Sequence, residues 1–215
     1  MEIEILYSDA QTAVCVKPSG VDSEQGMPTL LCDRLGGDFF CVHRLDKAVG
    51  GVIVYARTKK AAAALSAAMA AGGMEKRYLA VAQGVPDEPK GSLRDLIFHD
   101  AARNKSYVVT RPRRGVKEAL LDYELLDTAV WDGQTLSALR IALHTGRSHQ
   151  IRVQLASRGL PLVGDGRYGS AIRSSESALW AEELSFPHPV DARRMRFSCP
   201  PPERFPWTIF SLHNA

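Results

Sequence analysis

The sequence has few cysteines, and their spacing indicates no pairing. The four cysteines, Cys15, Cys32, Cys41 and Cys199, form no C-x-x-C motif. A disulfide framework is therefore not expected, and the pattern is typical of a protein of the reducing cytosol. The first residues, MEIEILYSDA, lack the basic and apolar segments of a signal peptide, so we expect a cytoplasmic protein.

Long hydrophobic runs are absent as well. The longest stretch of low polarity, residues 61–74, is mostly alanine and glycine and is too short to span a bilayer. The sequence also lacks H-x-x-E-H, C-x-x-C and glycine-rich phosphate-loop patterns. We therefore expect no membrane segment, no metal and no cofactor.

Neither sign of charge is in large excess. The chain has 27 Lys and Arg against 24 Asp and Glu, a net charge of +3. Such a balance permits a polyanionic partner without demonstrating one. With 215 residues, of which 45% are hydrophobic, the chain can bury a sizeable core, and we expect one domain spanning residues 1–215.

The most informative stretch is Val42–Arg57, VHRLDKAVGGVIVYAR. Apolar runs on both sides of a glycine-containing loop predict a strand, a loop and a second strand. Asp46 would lie at the mouth of the loop, at the end of a buried scaffold, where site residues are often held. The alternative is an ordinary turn aspartate that caps its own backbone.

The remaining segments predict short elements separated by clear breakers. Thr58 is a good N-cap for an alanine-rich helix that Gly72 would end. The pair Asp132-Gly133 is typical of a hairpin turn. The other predicted elements are two strands within residues 3–16, one or two helical turns in residues 29–35, and strands at residues 74–82, 121–127 and 135–144.

A helix is also predicted in the polar segment that follows His144. Thr145 or Ser148 would cap it and Gly159 would end it. Ile151 and Leu155 would face the core, while His149 and Arg152 would share a neighbouring stripe at a spacing of three residues.

A run of cations without an intervening acid lies between residues 103 and 117. Charge runs usually form solvated faces, but one that lacks compensating acids can also neutralise phosphates. Its members are Arg103, Lys105, Arg111, Arg113, Arg114 and Lys117.

Six motifs together resemble one family, the RluA/RluD-type RNA pseudouridine synthases. The segment HRLDKAVGG resembles the family signature HRLDxxTSG. The others, in order, are KPSG at residue 17 for KPxG, KRYLA at 76 for K-x-Y-x-A, GRSHQIRVQL at 146 for GR[ST]HQIRVHL, GDGRYG at 164 for GDxxYG and LWAEELSFPHP at 179 for LHAxxLxFxHP. The resemblance covers nearly the whole chain.

This resemblance implies a fold and a reaction. The fold would be α+β, with a mixed, largely antiparallel central sheet flanked by helices and loops, and with a catalytic cleft across the sheet. Many relatives carry an S4-like RNA-binding module in front of this fold, but we expect none here, because the first predicted strands begin near Ile3. The reaction would isomerise a specific uridine in rRNA or tRNA to pseudouridine, which needs a flipped base and a carboxylate.

The resemblance also implies roles for single residues. Asp46 would be the catalytic carboxylate, and it could attack C1′, add to the pyrimidine ring or remove a sugar proton. Arg152 would pair with it and keep it ionised. Tyr78 would stack on the uracil and help to remove the C5 proton, and Arg44 would fill the gap left in the RNA stack.

The remaining motif residues are expected to support the loops around these groups. We include in this set His43, Leu45, Gly51, Gly146, Arg147, His149, Gln150 and Leu155. The GDGRYG segment is expected to be supporting structure too, because its glycines permit a close-fitting turn.

The sequence departs from the family pattern at four positions. Val49 and Gly50 stand where the family has Thr and Ser, two hydroxyls that could brace the aspartate loop, and Gln154 and Trp180 replace histidines. A non-catalytic RNA-binding protein is thus the alternative, whereas a small-molecule hydrolase lacks a nucleophile motif. As partner we expect an rRNA or tRNA stem-loop, without DNA or membrane, for a monomeric protein.

Overall fold

The computed structural model describes residues 2–211 and confirms the predicted α+β class. The α-helices are α1 (Gly26–Leu35), α2 (Lys59–Ala70) and α3 (Gln150–Ala156). The strands are β1 (Ile5–Ser8), β2 (Thr12–Lys17), β3 (Phe40–Cys41), β4 (Gly50–Ala56), β5 (Glu75–Gln83), β6 (Lys90–Asp100), β7 (Lys105–Val109), β8 (Val116–Trp131), β9 (Gln134–Leu143), β10 (Leu179–Pro187) and β11 (Arg194–Ser198). No helix in the described range is long and apolar enough to cross a bilayer.

The described chain divides into two compact units. The first unit contains residues 2–77 and 180–201, and the second contains residues 78–179 and 202–211. That both belong to one domain stays a prediction.

In the first unit, β4 is the central strand and all of its residues are buried. It pairs with β2 in antiparallel fashion along its length, with β3 at Tyr55 and Ala56, and in parallel with β10 at Gly50 and Gly51. β1 extends the sheet beside β2, and β11 beside β10. The parallel pair makes this otherwise antiparallel sheet mixed, as predicted.

Helix α2 packs against this sheet through one buried face. Ala61 and Leu65 join Val52, Val54 and Phe186 in one apolar cluster. The predicted N-cap is confirmed, because Thr58 Oγ1 accepts the Ala61 N–H at 3.0 Å.

The predicted extent of α1 is wrong, because the helix has 10 residues and begins at Gly26. Proline at position 28 is compatible with this early start, since the first turn leaves its N–H groups without helical partners. The Asp22 carboxylate accepts the N–H groups of Glu24 and Gln25, both at 2.8 Å, just before the helix.

In the second unit the strand order is β5, β9, β8, β6 and β7. The hairpin of β8 and β9 turns at Asp132 and Gly133, with φ of 47° and 72°, which confirms the predicted turn. Val153 of α3 packs against Ile97 and Ala119 of this sheet.

The predicted cap of α3 is wrong. His149 occupies the N-cap position in the left-handed region, with φ of 55° and no capping hydrogen bond from its side chain. The Thr145 hydroxyl instead donates to Gln150 Oε1 at 2.8 Å and accepts the Leu120 N–H at 2.8 Å, so it is used in other contacts. The Ser148 backbone carbonyl accepts from the Ser106 hydroxyl at 2.6 Å.

Candidate active site

Asp46 lies in a tight turn between β3 and β4 of the first unit. The Val49 N–H donates to the Asp46 carbonyl at 2.9 Å, which closes a turn over residues 46–49. The side chain of Asp46 is half-buried, and the buried strand β4 begins immediately after the turn. Asp46 thus lies in a backbone turn, as the alternative interpretation of this residue expects. The turn determines the position from which the carboxylate projects.

Lys17, the first residue of the KPSG segment, lies beneath this turn with an exposure of 0%. Its Nζ donates to the carbonyls of Pro18 at 3.0 Å and Val21 at 2.8 Å, with a longer contact of 3.4 Å to that of Lys47. A buried ammonium requires such acceptors. The ammonium therefore ties the end of β2 to the turn.

His43 lies under the same loop and is neutral at physiological pH. Burial lowers the pKa of His43 to about 3, and the positive charge of Lys76 acts in the same direction. Its Nε2 accepts the Val54 N–H at 3.3 Å. His43 therefore joins the signature segment to β4 and is not a proton donor near neutral pH.

Two glycines at the start of β4 are required by the close passage of β10. A Cβ on Gly51, whose φ is 118°, would lie 2.3 Å from the Ala181 carbonyl oxygen. A Cβ on Gly50 would lie 2.4 Å from Cζ3 of Trp180, and the Trp180 Nε1 donates to the Cys199 carbonyl at 2.9 Å. The departures from the family pattern at residues 50 and 180 are therefore coupled, because the indole ring occupies the space of a side chain at residue 50.

Tyr78 and Arg152 both belong to the second unit. Tyr78 is buried in β5. Arg152 is buried on α3, and its guanidinium binds Asp165 through two hydrogen bonds, Nε to Oδ2 at 2.7 Å and Nη2 to Oδ1 at 2.9 Å. The pairing of Arg152 with Asp46 stays a prediction.

Asp165 is a residue that the sequence interpretation missed. Its side chain is 1% exposed and that of Arg152 is 7% exposed, so this ion pair is buried. The available signal was a single carboxylate next to the apolar residues Leu162 and Val163, a place where a charge needs a partner. The glycine-rich turn therefore supports Arg152 directly, because it supplies the carboxylate that pairs with the guanidinium.

Tyr168, from the same segment, lies against Arg152. The guanidinium carbon is 5.1 Å from the centre of the tyrosine ring. The phenol oxygen accepts the Ser106 N–H at 2.8 Å and lies 2.9 Å from His149 Nδ1. Burial raises the pKa of Tyr168, although the hydrogen bond from Ser106 and the charge of Arg152 act in the opposite direction.

Several predicted support residues of the third motif anchor the start of α3 to β8. Gln150 Oε1 accepts the Arg147 N–H at 3.0 Å, and Gln150 Nε2 donates to the Leu120 carbonyl at 3.1 Å. Arg147 Nε donates to the Glu118 carbonyl at 2.8 Å. The two other predicted support residues of this region, exposed Gly146 and buried Leu155, precede and follow these contacts, while Leu45 is buried beside Asp46.

The residue that replaces the third motif's histidine is also buried and bonded. Gln154 is fully buried, and its Nε2 donates to the Leu93 carbonyl at 3.1 Å and to Asp95 Oδ2 at 2.7 Å. This departure thus has a structural role in attaching α3 to β6.

The predicted RNA-binding cations are mostly exposed. Arg113 lies over the Phe98 ring at 4.5 Å and Lys105 over Tyr107 at 5.7 Å. Arg103 is 3.8 Å from Asp100, an acid adjacent to the run, and Arg44 forms a surface pair with Glu24 at 3.0 Å. The three other members, Arg111, Arg114 and Lys117, are also exposed.

Within residues 2–211, no group of His, Cys, Asp and Glu side chains is arranged to hold a metal ion.

A family model and two curated relatives all identify similarity to RNA pseudouridine synthases. The family model described as RNA pseudouridylate synthase matches residues 11–157. Ribosomal large subunit pseudouridine synthase D of Xanthomonas campestris is 32% identical over 94% of this chain and 66% of its own length. The protein of the same name from Pseudomonas aeruginosa is 31% identical over 100% of this chain and 73% of its own length. The chain thus spans about two thirds of the length of the first of these relatives.

A solved structure agrees with these matches. Human RNA Pseudouridylate Synthase Domain Containing 1 superposes with a TM-score of 0.81 and 25% identity, covering 94% of this chain and 84% of its own.

Proposed function

The chain belongs to the RNA pseudouridylate synthase family, and we propose that it isomerises a uridine in RNA to pseudouridine with Asp46 as the catalytic carboxylate. The observation that carries the proposal is the turn over residues 46–49, which presents one carboxylate at the start of a fully buried strand. The family match over residues 11–157 includes this turn, Tyr78 and Arg152.

The reaction breaks the bond from N1 to C1′ and forms a bond from C5 to C1′. A proton leaves C5 and a proton is gained at N1, so no electrons enter or leave and no co-reactant is consumed. The carboxylate acts in its ionised form at the sugar or the base, and the flipped base needs an apolar face and an aromatic contact. Tyr78 supplies that contact and assists in removing the C5 proton.

Arg152 contributes a fixed positive charge to the reaction. The family pattern assigns it to the catalytic carboxylate. Its two hydrogen bonds to Asp165 and its contact with Tyr168 support this role, because they hold the guanidinium plane in one orientation. Because the guanidinium is already oriented, no free energy is spent on reorienting it during the reaction.

RNA is held by the exposed cations. Arg44 is 60% exposed, and its pair with Glu24 at the surface is worth only about 0–1 kcal/mol, so it can exchange this partner for RNA. The cations between residues 103 and 117 contact phosphates. The names of two relatives make rRNA of the large ribosomal subunit the first substrate to test, with tRNA second.

The alternative of a non-catalytic RNA-binding protein rested on the missing hydroxyls at residues 49 and 50. The Trp180 ring explains why residue 50 carries no side chain, whereas nothing in the structure explains the replacement at residue 49.

Asp46→Asn tests the proposal, because it preserves the shape of the side chain and removes its charge. Tritium release from RNA containing 5-tritiated uridine should be lost, while RNA affinity changes little. Lys47→Gln, which removes an exposed charge next to Asp46, is the matched control and should retain activity. Single-turnover conversion by Asp46→Asn within about tenfold of the parent rate would exclude Asp46 as the catalyst.

A further inference from the structure

Most of the peptide carbonyls around Asp46 accept hydrogen bonds from outside the turn. Four consecutive carbonyls accept hydrogen bonds: those of Leu45 from Ser23 Oγ at 2.8 Å, Asp46 from Val49 N at 2.9 Å, Lys47 from Gly20 N at 2.7 Å and Ala48 from Ser19 Oγ at 2.6 Å. Three of the four donors belong to residues 19–23, which follow β2; we call this segment the brace.

Ser23 makes the most extensive contact of the brace. Its hydroxyl donates to the Leu45 carbonyl and also accepts the Leu45 N–H at 3.2 Å, so it binds both peptide groups of the residue before Asp46. The Ser23 carbonyl accepts from the Tyr55 hydroxyl at 2.8 Å, and Tyr55 is fully buried in β4. Ser23 thus connects the central strand β4 to the backbone next to Asp46 through hydrogen bonds on both sides.

Ser19 acts at the other end of the turn. Its hydroxyl donates to the Ala48 carbonyl at 2.6 Å, and the residue is half-buried. It occupies the position that the pattern KPxG leaves open, while Val49 and Gly50 carry no hydroxyl for the same turn. In this chain the hydroxyls that hold the turn therefore come from the brace.

We propose that Ser19 and Ser23 are positioning residues for the reaction, which hold the peptide frame from which the Asp46 carboxylate projects. The inference rests on the proposed catalytic role of Asp46. A four-residue turn closed by one hydrogen bond has little rigidity of its own. A displacement of about 1 Å at a reacting group can reduce a rate by about 100-fold. Small shifts of this peptide frame should therefore lower the rate of the reaction.

The test compares Ser19→Ala, Ser23→Ala and the double variant with Thr58→Ala. Thr58→Ala is the matched control, because it also removes a hydroxyl that binds a backbone group in the first unit, at the α2 cap. The single-turnover rate at saturating RNA should fall about tenfold for each single variant and about 100-fold for the double variant. The dissociation constant for RNA should change less than about twofold in all of them.

Two further measurements exclude a general loss of structure. Ser19→Thr keeps a hydroxyl at the half-buried position and should recover most of the rate. Amide hydrogen exchange of Leu45 and Val49 should accelerate in Ser23→Ala, while that of Val81 in β5 stays unchanged. If Ser23→Ala does not fold, Ser19→Ala and Ser19→Thr still decide the question.

The inference is overturned if the double variant reacts within about twofold of the parent rate, or if Thr58→Ala loses as much. A loss confined to RNA affinity overturns it as well. An active Asp46→Asn variant would instead refute the proposed function, and the two failures are therefore distinguishable.

Discussion

The Asp46 turn in the first unit and Arg152 in the second unit are fixed by different kinds of interaction. The turn is held by serine hydroxyls and backbone amides, all neutral, together with one buried ammonium. Arg152 is held by a buried carboxylate and an aromatic ring. The two regions should therefore differ in their sensitivity to mutation. Leaving a buried charge without its partner costs more folding free energy than losing one neutral hydrogen bond.

Removing the carboxylate under Arg152 should have the largest effect. Asp165→Ala leaves the buried guanidinium without its bidentate partner, and breaking a buried ion pair typically costs about 3–5 kcal/mol. We expect that loss of unfolding free energy in denaturant titrations, and a conversion rate reduced at least as strongly as by the brace variants.

The matched control for this prediction is an ion pair of the same kind at the surface. Arg94 and Glu118 are 3.0 Å apart with side-chain exposures of 69% and 57%, so Glu118→Ala should cost only about 0–1 kcal/mol. If Asp165→Ala and Glu118→Ala lose the same unfolding free energy, the buried pair stabilises the fold no more than a surface pair does.

The second prediction concerns the packing that lies directly beyond the Asp46 turn. Gly50→Ser introduces a Cβ about where the Trp180 ring lies, and overpacking of this kind costs about 1–3 kcal/mol. Trp180→His in the same chain should restore part of that stability, with a coupling of about 0.5–3 kcal/mol in a double-mutant cycle on denaturant midpoints.

Gly51→Ser serves as its control. A Cβ at residue 51 meets the backbone of Ala181, so Trp180→His should not relieve it. Additive losses for the Gly50 and Trp180 changes would disprove the coupling of these two departures from the family pattern.

The local features of the fold could be predicted from the sequence. The strands on either side of the signature, the Thr58 cap and the Asp132-Gly133 hairpin depend on neighbouring residues, and all three are confirmed. The start of α3 could not be predicted, because Thr145 offers its hydroxyl to Gln150 and not to the helix N–H groups.

The long-range contacts of the candidate site were also beyond the sequence. Asp165 is 13 positions from Arg152, and Ser23 is 22 positions from Leu45. A glycine-rich turn and a polar loop are compatible with many partners, and only the fold selects one. The motifs therefore identified which residues to examine, whereas the contacts that orient them required the structure.

The smallest expected effect is that of Tyr168→Phe, which tests how Arg152 is held. The substitution removes the hydroxyl of Tyr168 and keeps its aromatic ring. The ring remains beneath the Arg152 guanidinium, while the Ser106 N–H and His149 lose the phenol oxygen. A lost hydrogen bond of this kind costs about 1 kcal/mol, so the melting temperature should fall by a few degrees and the conversion rate by less than about tenfold. Tyr168→Leu, which also removes the ring, should lose more activity than Tyr168→Phe if the contact with the guanidinium matters. Equal rates for the two variants would show that the ring contact does not contribute to the orientation of Arg152.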